Sequence, residues 1–286
     1  IVVSTSSRLM TAALGAVISR KKKAKLYLDI RDLFVDTIGQ VLNQYPYKMI
    51  FPLLKMIEKK TFKSADQINL ISGGFLEYVL NFVSRSKITI ITNGIDIKYN
   101  LKKNKKKFFQ SPLNILYAGN IGDGQGLHKI IPKFAKLFGD KILFRVIGDG
   151  SKKNMLIDEI RNENIDNVKL LKPIKREELL NYYSSTDILF IHLNDFNAFE
   201  KVLPSKIFDY ALTDKPILAG VSGFAREFLN KNVYGVEVFN PCDVVGMQKA
   251  INKLLKGSNT YDRKDFRKRY DRDVLTKEIG RNILSL

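Results

Sequence analysis

The chain has 286 residues, 45% of them hydrophobic, enough to bury one large core or two ordinary ones. Its single cysteine, Cys242, excludes a disulfide framework and a cysteine-rich zinc site and fits a reducing compartment, and its two histidines, His128 and His192, lie too far apart to suggest a metal pair. The formal net charge of +19 favours anionic partners: nucleic acid, acidic lipid or phosphorylated substrates.

The first elements alternate short apolar runs with helical stretches. IVVST reads as a strand, RLMTAALGAVISR as a helix, KLYLDI as a strand and FPLLKMIEKKTFKSA as a helix with apolar residues at three- and four-residue spacing. QINLIS (strand), GFLEYVLNFV (helix) and KITIIT (strand) follow. Strands apolar on both faces, alternating with helices, predict a parallel sheet covered by helices. The order breaks at NGIDIKYNLKKNKKKFFQSP, where a long, polar, basic stretch predicts a linker over 97–110.

A second series then begins. Its strands are LNILYAG, KILFRVIG, NVKLL, DILFIHL, KPILAG and YGVEVF. Its helices are GLHKIIPKFAKLF, KKNMLIDEIRNE, KREELLNYYSS, PSKIFDYAL, SGFAREFLN and VVGMQKAINKLLKG. That is a complete six-strand doubly wound domain over 111–260, whereas the four strands of 1–96 read as the back half of a similar one. Cys242, next to Pro241 near a helix start, reads as structural. The basic tail over 261–286 is expected to form helices that pack back on the first domain. No solenoid repeat is present.

Lysines and arginines cluster at RKKKAK, LKKNKKK and DRKDFRKRYDR. They form either a functional surface or the imprint of a Lys- and Asn-rich codon bias. No nucleic-acid reading motif accompanies them. The longest apolar candidate, YPYKMIFPLLKMI, is interrupted by Lys48, Pro52 and Lys55, so no run approaches the ~20 residues that span a bilayer. The same segment, continued to EKKTFK, mixes aromatics, aliphatics and lysines as a membrane-surface helix would; a buried helix with a basic outer face is the alternative. No signal peptide is recognisable, and the chain starts at Ile1 within a strand pattern, so the first strands are expected upstream.

Ligands bind open α/β sheets at the carboxyl ends of strands, and four loops of the second series lie at such ends. YAGNIGDGQGLHKI carries Gly119, Gly122, Gly124 and Gly126, which let backbone N–H groups approach a diphosphate. It is neither G-x-G-x-x-G nor a Walker loop. FRVIGDGSKKN ends a strand in Gly148-Asp149-Gly150, with Ser151 positioned to cap a helix. LLKPIKREELL places Lys172-Pro173-Ile174 between strand and helix; Pro173 fixes an extended backbone that suits the edge of a base.

The fourth loop is the most informative. In HLNDFNAFEKVLPSKIFDYALTDKPILAG, Pro204-Ser205-Lys206 opens a helix, with Pro204 suited to its first turn. Lys206 there opposes the helix dipole, which points to an expected anion. Asp209, three residues on, shares its face. The alternative is a solvated Lys/Asp pair.

Together DIRDLF, TNGID, LYAGNIGDGQGL, VIGDG and LPSKIFDYALTDKPILA resemble the family 4 retaining glycosyltransferases, over nearly the whole chain. The nearest likeness is to bacterial surface-polysaccharide enzymes, including N-acetylfucosamine-type transferases of capsule and lipopolysaccharide synthesis. The resemblance implies a GT-B fold of two Rossmann-like doubly wound α/β domains, the N-terminal one truncated here. It implies a UDP-type nucleotide-sugar donor, a lipid-diphosphate-linked saccharide acceptor, no cofactor and no metal site.

In those terms Gly119, Asn120 and Gly122 approach the donor diphosphate, and Ser205 and Lys206 bind it. Asp209 stands where the family's second Glu of Glu-x7-Glu holds the ribose hydroxyls, and Gly148 and the Lys172–Ile174 backbone lie around the base. Asp32 matches the Asp of the family's His-Asp pair, with Arg31 in place of His. Asp32 and Asp29 are then candidates to orient or deprotonate the acceptor hydroxyl, or else they cap a helix and bind Arg31. Asn93-Gly94-Ile95-Asp96 matches the stretch that closes the first domain.

Two departures stand out. Lys201, not Glu, lies eight residues before Asp209, with Glu200 one place off as the candidate replacement. Gln125-Gly126 replaces the usual Lys-Gly, which leaves Lys206 as the main diphosphate cation. The expected setting is cytoplasmic, with peripheral contact at the inner face of the membrane. The alternatives are a UDP-sugar 2-epimerase of the same architecture, against which the scarcity of histidine counts, and a basic nucleic-acid-binding protein.

Overall fold

The computed structural model describes residues 1–6, 8–41, 47–98, 109 and 111–286. It divides into two compact units: Ile1–Gly94 with Phe196–Pro204 and Tyr270–Leu286, and Ile95–Asp195 with Ser205–Arg269. The basic stretch read as a linker over 97–110, with its LKKNKKK cluster, falls almost wholly outside the described residues.

The first unit runs β1 (Val2–Thr5), α1 (Leu9–Lys22), β2 (Leu26–Ile30), α2 (Phe34–Val41), α3 (Tyr47–Ser64), β3 (Gln67–Leu70), α4 (Leu76–Leu80) and β4 (Ile88–Ile90). Its sheet is parallel, in the order β1-β2-β3-β4. β2 is buried throughout, its apolar run broken only by Asp29, and it centres a core with Leu33, Phe62, Phe75 and Val79.

Three details differ from the sequence reading. α2 was not anticipated; its short amphipathic pattern lies directly behind the DIRD loop. α3 begins at Tyr47, earlier than the Phe51 start read from the sequence, so Pro52 lies in its second turn and not at its first residues. The GFLEYVLNFV segment is a 3-10 turn, Gly73–Phe75, followed by only five α-helical residues.

Within α3, Glu58 is 2% exposed and accepts a 2.5 Å hydrogen bond from the Tyr78 hydroxyl. Burial pushes its pKa up from 4.5 to about 7. The folded chain therefore keeps a proton that the unfolded chain releases at lower pH. Stability is highest below the unfolded value and falls, by on the order of 3 kcal/mol, as pH rises through this window. Glu58→Gln is expected to flatten this slope, which urea midpoints measured on both sides of the window would show.

The second unit runs β5 (Leu113–Ala118), α5 (Leu127–Phe138), β6 (Ile142–Ile147), α6 (Lys153–Asn162), β7 (Val168–Leu171), α7 (Arg176–Ser185), β8 (Ile188–His192), α8 (Lys206–Ala211), β9 (Ile217–Gly220), α9 (Gly223–Asn232), β10 (Val236–Phe239), α10 (Val244–Lys256) and α11 (Lys264–Arg269). Its parallel sheet has the order β10-β9-β8-β5-β6-β7. The chain winds outward one way from β5, then returns beside it as β8, so β5 and β8 flank a topological switch point. α5 buries Leu127, Ile130, Ile131, Phe134 and Ala135, one face at helical spacing, against Phe144, Val146 and Phe190.

The tail is helical. α11 belongs to the second unit, and α12 (Arg272–Leu284) to the first, where Arg272 donates to the Gly94 carbonyl at 3.2 Å. The basic tail is not a uniform charged surface. Arg263 is 1% exposed and donates to the carbonyls of Thr213, Lys215, Tyr234 and Gly235. Arg267 pairs with Asp214 at 2.9 Å. Both arginines fasten the stretch around α11 to loops of the second unit.

Candidate functional site

At the carboxyl ends of β5 and β6 the backbone closes on itself. The Gly119 N–H donates to the Ile147 carbonyl at 2.8 Å, and the Gly148 N–H to the Leu171 carbonyl at 3.1 Å. Gly119 and Gly148 have φ of +148° and +157°, a conformation that favours glycine. A Cβ at Gly148 would lie 1.9 Å from the Gly119 carbonyl oxygen, so these glycines are required by contact as well as by conformation.

The glycine-rich turn after β5 is cross-braced. The Tyr117 hydroxyl donates to the Asn120 carbonyl at 2.6 Å. The Gln125 Oε1 accepts from Asn120 Nδ2 at 2.9 Å and from the Gly122 N–H at 3.2 Å. The Ile121 N–H donates to the Asp149 carbonyl, and the Lys152 N–H to that of Ile121, tying this turn to the one after β6. Gly126, at φ +58°, starts α5. Ser151 does not cap the next helix: α6 begins at Lys153, Lys152 is its N-cap residue, and no side chain caps it. The turn is held by backbone bonds instead, so the cap is dispensable.

Across the switch point, the end of β8 holds the same turn. His192 is 1% exposed; its Nδ1 donates to the Gln125 carbonyl at 2.6 Å, and its Nε2 accepts from the Cys242 N–H at 2.9 Å. Burial drives its pKa down to about 4, which keeps it neutral and in this tautomer. Asn194 adds a backbone bond to the Gly124 carbonyl and a side-chain bond to that of Asp123. His192 and Asn194 thus position the turn. Cys242, at φ 59°, closes the far side of this latch, in keeping with a structural role.

α8 completes the arrangement. The Tyr210 hydroxyl, buried, accepts from the Ala118 N–H at 3.0 Å. Lys206 lies one turn earlier on the same helical face, and so above the next residue of the strand end, Gly119. Its Nζ and Cε would lie 1.9 and 2.3 Å from a Cβ placed on Gly119, and Nζ stands 5.4 Å from the centre of the Tyr117 ring. Desolvation lowers the Lys206 pKa, opposed by the charge of Asp209. Among the described residues no carboxylate pairs with this ammonium.

Asp209 is instead bound by Arg176 at 3.2 Å, a cation at the start of α7 that the sequence reading missed. Ser205 is the exposed N-cap residue of α8 and its side chain makes no cap bond. Pro204 precedes that residue and lies outside the helix, because the helical turns begin only at Lys206. Lys172 is exposed and Ile174 half-buried on the stretch between β7 and α7. The structure therefore brings together Gly119, Asn120, Gly122, Gly148 and Lys206 around two adjoining strand ends, with Arg176 and Asp209 paired beside them.

In the first unit, Asp29 is 8% exposed and engaged: Arg31 Nε donates to it at 2.8 Å and Asn69 Nδ2 at 2.8 Å. Asp32 accepts from Thr37 at 3.5 Å, and burial raises its pKa. Glu200 is exposed on a 3-10 turn, Asn197–Lys201. Lys201, where the family resemblance expects Glu, pairs with Asp36 at 2.7 Å, while its carbonyl accepts from Ser72 Oγ at 2.6 Å.

The family model described as "Glycosyl transferases group 1" matches residues 99–271. The chain is 23% identical over 203 residues to WcaI of Escherichia coli (strain K12), assigned to colanic acid biosynthesis as a glycosyl transferase. The match covers 67% of this chain and 50% of WcaI, so the chain spans about half the length of that curated relative. Among solved structures, HepE of Anabaena in complex with UDP and glucose superposes with a TM-score of 0.78 at 15% identity, over 100% of this chain and 78% of that one. The lipopolysaccharide outer core galactosyltransferase WaaB gives 0.66 at 13% identity, over 99% and 75%. Sucrose-phosphate synthase from Thermosynechococcus elongatus gives 0.74 at 15%, over 99% and 73%. These likenesses show the fold, two Rossmann-like α/β units of the GT-B type. With the family model covering more than half of its length, the chain belongs to the group 1 glycosyl transferases.

Proposed function

We propose that this chain carries the donor site of a retaining, family 4 glycosyltransferase that takes a sugar from a UDP-type donor. The observation behind this reading is the Lys206 ammonium, half-buried, its pKa lowered by burial, without a carboxylate partner among the described residues and directed at Gly119. Keeping a bare cation there is costly in the empty protein and favourable once a diphosphate arrives. Gly119, Asn120, Gly122 and Ser205 approach the diphosphate, and Lys206 neutralises the charge that grows on it as the sugar departs. Gly148 and the Lys172–Ile174 backbone border the base. Asp209, held by Arg176, receives the ribose hydroxyls.

In the first unit, Asp32 orients or deprotonates the acceptor hydroxyl, and Asp29 supports that loop through Arg31 and Asn69. Glu200 is assigned to the donor sugar. The acceptor is a lipid-diphosphate-linked saccharide of capsule or lipopolysaccharide synthesis, with an N-acetylfucosamine-type sugar as the first donor to try. The assignment of WcaI to colanic acid synthesis supports this direction. Such an acceptor implies peripheral contact with the inner membrane face.

The test is incubation of the protein with a panel of UDP-sugars and lipid-linked acceptors, followed by product analysis. Free UDP together with a product that keeps the donor's anomeric configuration is expected. An epimerised UDP-sugar without UDP release, or an inverted product, would contradict the reading.

A further inference from the structure

The glycine-rich turn after β5 engages most of its backbone donors internally. The N–H groups of Gly119 and Ile121 go to the carbonyls of Ile147 and Asp149, and those of Gln125 and Gly126 to the Gly122 carbonyl. The Gly122 N–H goes to Gln125 Oε1. A phosphate arriving at the turn cannot take up these N–H groups without breaking a bond the fold already has. A diphosphate also carries more oxygen lone pairs than the Lys206 ammonium alone can satisfy, so another side-chain donor is needed.

Gln125 is placed to be that donor. A backbone N–H can only donate, so the end of the Gln125 carboxamide that faces Gly122 is its oxygen. Asn120 Nδ2 donates to the same oxygen at 2.9 Å, beside the Gly122 N–H at 3.2 Å. Two donors converging on Oε1 fix the sense of the amide and leave Nε2 as its other end. Among the described residues Nε2 meets no acceptor, and it is not buried. The backbone beneath is held too, since the Gln125 carbonyl accepts from His192 Nδ1 at 2.6 Å. Gln125 as a whole is half-buried, so its amide is presented from a held position and not from a free surface arm. Lys206 stands against Gly119, the first residue of the turn, and Asn120, the next, touches the Gln125 amide.

We propose that Gln125 is a donor-site residue with two roles: Oε1 braces the turn, and Nε2 donates a hydrogen bond to a diphosphate oxygen of the nucleotide sugar. The family resemblance expects lysine at this position, so here the contact is made without charge. A lysine would offer the Asn120 and Gly122 donors no acceptor, whereas glutamine carries an acceptor at one end and a donor at the other. The inference rests on the reading of a UDP-type donor and names a contact that Lys206 does not make.

Calorimetric titration of UDP and of uridine into the full chain, with melting curves alongside, tests it. Gln125→Glu keeps an acceptor oxygen for Asn120 and Gly122, so its melting temperature should hold or rise. It replaces the outward N–H group by a charged oxygen, so UDP affinity is expected to fall on the order of 100-fold while uridine binding stays the same. Gln125→Met removes both ends of the amide; it should melt lower and lose about tenfold in UDP affinity. Asn154→Glu places the same charge on the exposed first turn of α6 and should keep UDP affinity within about twofold.

A Gln125 that only braces the turn would reverse the order, the Met variant losing more UDP affinity than the Glu variant, and that would overturn the inference. So would a Glu variant that keeps its UDP affinity. Equal loss in Asn154→Glu would also overturn it, by assigning the effect to charge at a distance. A wild type that binds UDP no better than uridine would instead remove the donor-site reading itself, and this contact with it.

Discussion

Replacement of Lys206 by Met is expected to stabilise the empty protein while removing most of its affinity for UDP. The ammonium sits against Gly119 and the Tyr117 ring, without an anionic partner among the described residues. Met keeps the length and apolar contacts of the side chain and removes the desolvation cost, a gain of about 1–2 kcal/mol in stability. The same change takes away the charge-assisted contact to the diphosphate, a loss of about 2–4 kcal/mol, or roughly 30- to 1,000-fold in Kd. A purely structural lysine would show the opposite pattern, with stability falling and binding unaffected. Thermal melts with and without UDP separate the two cases.

Gly148→Ala should be among the most damaging single substitutions in the second unit. Its Cβ would meet the Gly119 carbonyl oxygen at 1.9 Å, and a backbone atom inside the braced turn cannot swing aside. The φ of +157° adds conformational strain. A destabilisation of about 3–5 kcal/mol is expected, read as a shift in the urea midpoint.

Gly119→Ala makes the contrast. Its Cβ would meet the Nζ and Cε of Lys206, the far end of a flexible side chain. The backbone strain remains, at about 1–2 kcal/mol, but the protein should fold with the ammonium displaced and UDP binding weakened. The two glycines, alike in conformation, thus separate folding from binding.

The alternation of buried strands and helices was legible in the sequence because parallel strands covered on both faces leave continuous apolar runs. All six strands of the second unit lie within the segments read for them. Lys206 stood out for a similar reason: a cation in the first turn of a helix is locally unfavourable, and here it is half-buried with its pKa lowered by that burial. α2 was missed because eight residues next to a polar loop carry too few turns for a clear periodicity.

The role of His192 left no trace, since both of its partners are backbone atoms and impose no side-chain signature. The Tyr210 clamp on Ala118 spans 92 positions and depends on the sheet order, which no local pattern encodes. Arg176 carries no signal in KREELL; only the fold brings it to Asp209. The tail's basic cluster was ambiguous for the opposite reason: Arg263 is buried by carbonyl partners drawn from two distant loops.

Calorimetric titration of UDP and of uridine into the wild type and Lys206→Met addresses the donor site most directly. UDP should bind the wild type far more tightly than uridine does, and in the Met variant that advantage should shrink by roughly 30-fold or more while uridine binding stays the same. A wild type that binds both alike, or a variant that keeps the full preference for UDP, would show that the space between Lys206 and Gly119 does not hold a diphosphate.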